Sequence, residues 1–250
     1  MARISPSSSR FWLSLVLLLS TGACLTAQTP APRPLAELLN QQEPGWALVA
    51  QWLREAKNPV QVLPKTPARA DSTLLAAQVT TRSPLGAIIY ETGGLLVDGG
   101  WLRILGSGRP ALNRTLMGWN QGKPAGMLLI ADDVLGGFYA LNGGAFGAES
   151  LGKVFYFAPD AFRWEPTEKT YSEFLRFCFS GDLQGYYRRL RWKGWQQEIN
   201  KVTGGQEIAC YPFLFTKEGK NVGKTKRGVV PIAELWSVGQ ERQRQLEGTP

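Results

Sequence analysis

The stretch from Met127 to Phe146, MLLIADDVLGGFYALNGGAF, constrains this chain more than any other. Its apolar runs, Met127 to Ala131 and Gly137 to Leu141, are too short for buried helices and have strand composition. Gly136 and Gly137 sit between them, and a hairpin turn needs such residues. Asp132 and Asp133 stand at the mouth of that turn. An Asp there accepts hydrogen bonds from the turn backbone, a structural role. Neighbouring residues on a strand point to opposite faces, so the two acids do not form a paired-carboxylate site by themselves. A catalytic role would need a third acid brought near by the fold.

The pattern around this hairpin extends the sheet. Leu85 to Tyr90, Leu95 to Asp98 and Trp101 to Leu105 read as strands, with Gly93-Gly94 and Gly99-Gly100 at the turns. Lys153 to Phe157 is a further strand, and Arg163 to Pro166 extends the sheet edge. Glu207 to Phe215 reads as one or two late strands, bent at Pro212. Helices flank this centre. Leu35 to Gln42 and Gly45 to Lys57 come first, and Trp46, Val49, Ala50 and Leu53 form the inner face of the second. The Pro-containing stretch from Asn58 to Ala70 reads as an irregular connector, and Asp71 or Ser72 caps a helix through Gln78. Leu112 to Gly118 is a short helix. Thr170 to Phe179 follows the sheet, with Thr170 and Glu173 spaced for a capping box. Leu183 to Arg191, Trp195 to Lys201 and Pro231 to Trp236 are short helical stretches. Segregated helices and strands predict an α+β fold with a mostly antiparallel central sheet.

The ends of the chain differ in composition. Residues 1–27 have the form of an export signal, with Arg3 and Arg10 before the apolar run Phe11 to Leu19. Two cleavage points compete: one after Ala27, and one before Cys24, where Thr21-Gly22-Ala23-Cys24 resembles a lipobox and would place a lipid on Cys24. Residues 28–34, QTPAPRP, read as an extended Pro-rich linker. Residues 35–238 form a single domain of unknown function, and residues 239–250 a polar tail. The expected location is therefore exported, either periplasmic or as a membrane-anchored lipoprotein. Membrane contact is expected only through Cys24.

Composition excludes several chemistries. The chain has no histidine, so imidazole general bases, serine and cysteine triads that use histidine, and histidine metal sites are all ruled out. No metal site and no cofactor are expected. The net charge is +8, but no basic run is long enough for a polybasic arm. Export makes nucleic acid an unexpected partner. Cys178 and Cys210 either form a disulfide or lie buried as free thiols. The run from Tyr186 to Trp195, YYRRLRWKGW, interleaves aromatic and basic residues. It reads either as a packing helix with a wet face or as a stacking surface for bases or sugars. Gly106-Ser107-Gly108-Arg109-Pro110 is a structural turn that also offers Arg109 as a charge, without a phosphate-loop motif.

Four runs carry a family resemblance: Thr80 to Gly108, Leu128 to Gly147, Gly152 to Pro166 and Phe174 to Leu183. They resemble DUF2625, a bacterial domain family of unknown function, over about Leu35 to Trp236. Leu128 to Leu141, Gly152 to Phe157 and Ser172 to Leu175 are also distantly similar to the SUKH superfamily, which includes many immunity proteins. That resemblance implies a sheet of six or so strands and a non-catalytic role in binding a protein partner. The export signal departs from it, since a typical immunity protein is not exported. The favoured expectation is a partner-binding domain whose surface is shaped by Asp98, Arg109, Asp132, Asp133, Gly136 and Gly137. The alternative is a carboxylate-dependent hydrolase acting on envelope glycan, drawing two acids from Glu91, Asp98, Asp132, Asp133, Glu149 and Asp160. Retaining enzymes of that kind hold the carboxyls roughly 5 Å apart.

Overall fold

Seven strands run as an uninterrupted antiparallel meander, β1 through β7 in spatial as well as sequence order. They are β1 (Val60–Pro64), β2 (Thr92–Val97), β3 (Leu102–Leu105), β4 (Met127–Asp133), β5 (Phe138–Asn142), β6 (Lys153–Ala158) and β7 (Arg163–Thr170). A separate hairpin pairs β8 (Gln206–Tyr211) with β9 (Lys226–Pro231). The helices are α1 (Leu35–Leu38), α2 (Gly45–Arg54), α3 (Pro67–Ala77), α4 (Pro84–Glu91), α5 (Leu116–Asn120), α6 (Tyr171–Ser180), α7 (Leu183–Tyr186), α8 (Trp195–Ile199) and α9 (Ile232–Glu247). This computed structural model describes residue 1 and residues 31–248. Residues 2–30, which hold nearly all of the expected export signal, Cys24 and the start of the expected linker, lie outside the described residues. The described residues from Pro32 onward form one compact unit, and Arg33 binds Gln78 through its backbone N–H and its guanidinium.

The sheet is buried on both faces, and its strands alternate between two cores. On one face Leu102, Ile104, Tyr139, Val154 and Tyr156 meet the first helical layer and α6. In α6, Tyr171, Phe174, Leu175 and Cys178 all point inward, and the Thr170–Glu173 capping box is present. On the other face Leu129, Phe138, Ala140 and Phe157 meet Ile232 and Trp236 of α9. Burying that second face requires an extra layer, which the β8–β9 hairpin and α9 supply. The polar tail expected from residue 239 is therefore helical to Glu247. Gly239 allows the approach, since a methyl there would lie 2.9 Å from Phe157 Cε1.

Two expectations fail locally. Leu85 to Tyr90 is helix α4, not strand. Ser83 caps it by accepting from Gly86 N, and Pro84 stands at its first turn, where a missing N–H costs nothing. Gly93-Gly94 accordingly lies inside β2 rather than at a hairpin turn. The expected connector between Asn58 and Ala70 contains β1, which pairs with β2 at the sheet edge. Pro64 is tolerated there because an edge strand leaves some N–H groups unpaired.

Candidate functional site

The central hairpin forms as expected, but its acids are sealed. Asp133 Oδ1 accepts from Leu135 N at 2.9 Å and Gly137 N at 3.1 Å, the turn role expected of it. Its Oδ2 accepts from the Tyr156 hydroxyl at 2.6 Å. Burial pushes the Asp133 carboxyl up, and those three hydrogen bonds oppose the shift. Gly137 makes the arrangement possible, because a methyl there would lie 2.1 Å from Asp133 Oδ2. Gly136 supplies the left-handed turn position at φ 84°.

Asp132 points the other way, into an ionic knot. It stands directly opposite Arg103 across the β3–β4 ladder. Its Oδ1 lies 2.5 Å from Arg103 Nη2, a charge contact outside hydrogen-bond angles, and its Oδ2 accepts from Arg114 Nη1 at 2.8 Å. Arg103 Nη2 also donates to Glu207 Oε1 at 3.0 Å, and Nη1 to the Gln206 carbonyl at 2.5 Å. Arg114 Nε donates to the Gly204 carbonyl at 2.8 Å. The knot thus ties β3 and β4 to the loop before α5 and to β8. Asp132 and Glu207 are fully buried and Arg103 is 3 % exposed. Burial holds the Glu207 carboxyl well above the usual range, against the pull of Arg103 and with a further push from Asp132.

These acids and glycines therefore do not form the surface expected of them. Asp132, Asp133, Gly136 and Gly137 are all buried. Arg109 is half-buried and donates to Thr66 Oγ1 at 3.3 Å. Glu91 is tied to Lys65 at 2.8 Å. Cys178 and Cys210 are free thiols, both buried, and burial raises the pKa of each. No group of three or more acids or cysteines among the described residues is disposed to hold a metal ion.

Asp98 is different, because it opens onto solvent. The turn after β2 places it through three consecutive left-handed residues: Asp98 at φ 51°, Gly99 at 69° and Gly100 at 92°. Its Oδ2 accepts from Arg191 Nη2 at 2.5 Å. Arg191 is stacked between rings, its guanidinium carbon 4.4 Å from the Trp195 centroid and 4.8 Å from that of Trp101. Trp101 is fully buried and meets Trp195 and Tyr187 edge-on. The aromatic and basic run packs on one side and presents a wet face on the other. Tyr187 and Trp192 pack into the core, while Arg188 is exposed and Trp195 is half-exposed. Arg188, Trp192 and Trp195, together with Asp98 and Arg191, line a pocket of about 410 Å³, bordered by the amides of Asn58, Gln184 and Gln196. That size suits a small-molecule site, which spans about 300–1,000 Å³. A larger cleft of about 570 Å³ lies between α2 and α6. Of its two acids, Glu173 is committed to capping Thr170 and Glu55 accepts from Gln51 Nε2 at 2.9 Å.

The sequence marked Asp98 and the aromatic run separately and did not join them, since they are 93 residues apart in the Asp98–Arg191 bond. It missed Arg103 and Arg114 as partners of Asp132, and Glu207 as the second acid on Arg103. The available signal was a charge inside an apolar strand, Arg103 in LRIL and Glu207 in QEIACY.

Comparison with known proteins gives a family and relatives. Residues 35–235 match the family described as protein of unknown function DUF2625. The uncharacterised protein YbfG of Escherichia coli strain K12 is 42 % identical over 221 residues, covering 87 % of this chain and 98 % of the relative. An uncharacterised protein of Haemophilus influenzae is 40 % identical over 187 residues, covering 72 % of this chain and 82 % of the relative. No solved structure matches.

Proposed function

Because the chain belongs to the DUF2625 family, whose description assigns no activity, we propose a role from its own geometry: an exported, non-catalytic domain that binds a macromolecular partner through the Asp98–Arg188–Trp195 pocket. The SUKH resemblance, a matter of sequence pattern, points the same way. Export rests on the signal-like residues 1–27. Among the described residues no helix is long and apolar enough to cross a membrane. The lipobox-like run ending at Cys24 supports membrane attachment through a lipid on that residue.

The observation that carries this reading is the division of the acids by burial. The conspicuous pair at the central hairpin is spent on holding strands and turns together, which speaks against the hydrolase alternative for Asp132 and Asp133. The pocket instead gathers an exposed guanidinium, a preset carboxylate and a partly exposed indole. Arg191 is fixed by Asp98 and by two indoles, so the wall is ordered before any partner arrives. Preordering lowers the entropic cost of binding.

The test is retention of envelope material on immobilised mature protein, compared with an Arg188→Glu variant of the same melting temperature. Retention by the wild-type protein that the variant loses would support the pocket. Equal retention by both would move the recognition surface elsewhere.

A further inference from the structure

We infer that the pocket takes a saccharide, and that Arg188 makes it prefer one bearing a carboxylate. The inference rests on reading this pocket as the recognition surface, and it adds the chemical class of what binds there.

The argument begins with the lining. A sugar ring presents hydroxyls that each donate and accept, around faces of C–H groups. The pocket answers both features. Its amides carry a donor and an acceptor on one group, which suits a hydroxyl. The Asn58 NH₂ already donates to the Cys178 carbonyl at 2.9 Å and the Gly181 carbonyl at 3.0 Å. That fixes the amide and leaves its oxygen to accept. Asp98 Oδ2 is held by Arg191, which leaves Oδ1 as an acceptor of fixed direction. The half-exposed Trp195 supplies an apolar edge beside these polar groups.

Charge then selects among saccharides. Asp98 and Arg191 compensate each other. Arg188 is exposed, and the pocket therefore carries a net positive charge. A guanidinium forks onto a carboxylate with two parallel hydrogen bonds, a charge-assisted contact. Other ligand classes fit less well. A nucleic acid strand needs a continuous cationic track, whereas here a carboxylate stands in the wall. A purely apolar ligand would leave two guanidiniums and a carboxylate unpaired, at a desolvation cost.

The experiment uses two probes that differ by one acidic group, N-acetylmuramic acid and N-acetylglucosamine, titrated into the mature chain by ligand-observed NMR. Sodium acetate is the control for a bare anion. Both sugars should bind, the acidic one about tenfold more tightly. Arg188→Gln should abolish that preference, bringing the acidic sugar down to the affinity of the neutral one. Trp195→Ala should weaken both sugars by about tenfold or more. Trp195→Phe, which keeps an aromatic ring against Trp101, should restore most of the binding if the first variant folds poorly. Acetate binding as tightly as the acidic sugar would overturn the saccharide assignment in favour of a simple anion site. An acid preference that survives Arg188→Gln would overturn the role of Arg188. If neither sugar binds while Arg188-dependent retention of envelope material persists, the saccharide is wrong and the pocket reading stands. If that retention is absent too, both fail.

Discussion

Two arginine–aspartate pairs in this protein have the same separation and opposite surroundings. Arg103 and Asp132 lie 2.5 Å apart with side chains 3 % and 0 % exposed. Arg191 and Asp98 also lie 2.5 Å apart, with side chains 10 % and 23 % exposed. The first pair is shared with Arg114 and Glu207 and joins four segments of the chain. The second is wedged against indole rings at the rim of a pocket. The same kind of ion pair acts as internal fastening in one place and lines the rim of a pocket in the other. Burial decides between them, because removing a charge from a sealed site strands its partner, whereas water can replace a lost partner at the rim.

The largest effect should come from breaking the sealed pair. Asp132→Asn leaves two buried guanidiniums short of one negative charge. It should cost about 3–5 kcal/mol, out of the roughly 5–15 kcal/mol that holds a typical domain together. A chemical denaturation midpoint that drops sharply with an unchanged slope is the expected result. A loss under about 1 kcal/mol would show that the knot is not the fastening described. Gly137→Ala attacks the same hairpin through sterics. Its methyl would land 2.1 Å from Asp133 Oδ2 and 2.4 Å from Tyr156 Oη. Overpacking of that kind costs about 1–3 kcal/mol, read as a lower melting temperature.

How far this contrast could be read from the sequence follows from the distances involved. The hairpin was legible because alternation, glycines and an Asp at the turn all act within twenty residues, and Asp133 caps its turn as such an Asp should. The Thr170–Glu173 capping box was legible for the same reason. Helix α4 was not, because Leu85, Ala87, Ile88 and Ile89 are buried on every side, and a continuous apolar run has no period to read. Only Ser83-Pro84 marked its start. Strand β1 was hidden by the prolines around it. The site was least legible of all. Asp132 is visible as an acid, but Arg103 and Glu207, which bury it, meet 104 residues apart.

The two regions should also respond to pH with opposite sign. Burial raises Glu207 and Asp133, so the fold favours their protonated forms. Their contribution to stability is fully present below the unfolded carboxylate values near pH 4 and is lost as pH rises through the raised folded ones. Glu198, beside the pocket, is lowered, first by its hydrogen bonds from Arg227. Its contribution is present above the unfolded value and is lost as pH falls through the folded one. Its side chain is 37 % exposed, so solvent screening makes this the smaller term. Glu207→Gln should therefore flatten the alkaline decline in stability by up to one proton, about 1.4 kcal/mol per pH unit at the steepest point. Denaturation midpoints across pH 4–9 measure it. A wild-type protein that gains stability steadily over that range would mean the knot stays fully ionised.

At the rim the same kinds of substitution should scarcely register in stability. Asp98→Asn removes the carboxylate from Arg191 but retains a residue that tolerates the left-handed φ of 51°. Its cost should be about 1 kcal/mol, because water reaches the 23 % exposed Asp98 side chain, although Arg191 is only 10 % exposed. Arg188→Gln should fall within about 0.5 kcal/mol of wild type, as expected for an exposed side chain. Its informative value lies in the pairing with Asp132→Asn. The sealed variant should lose stability in solution without any ligand present. The rim variant should melt like wild type and differ only when a ligand is offered. If Asp98→Asn lowers the melting temperature as much as Asp132→Asn does, burial has not separated the two pairs, and the pocket is as much a part of the framework as the knot.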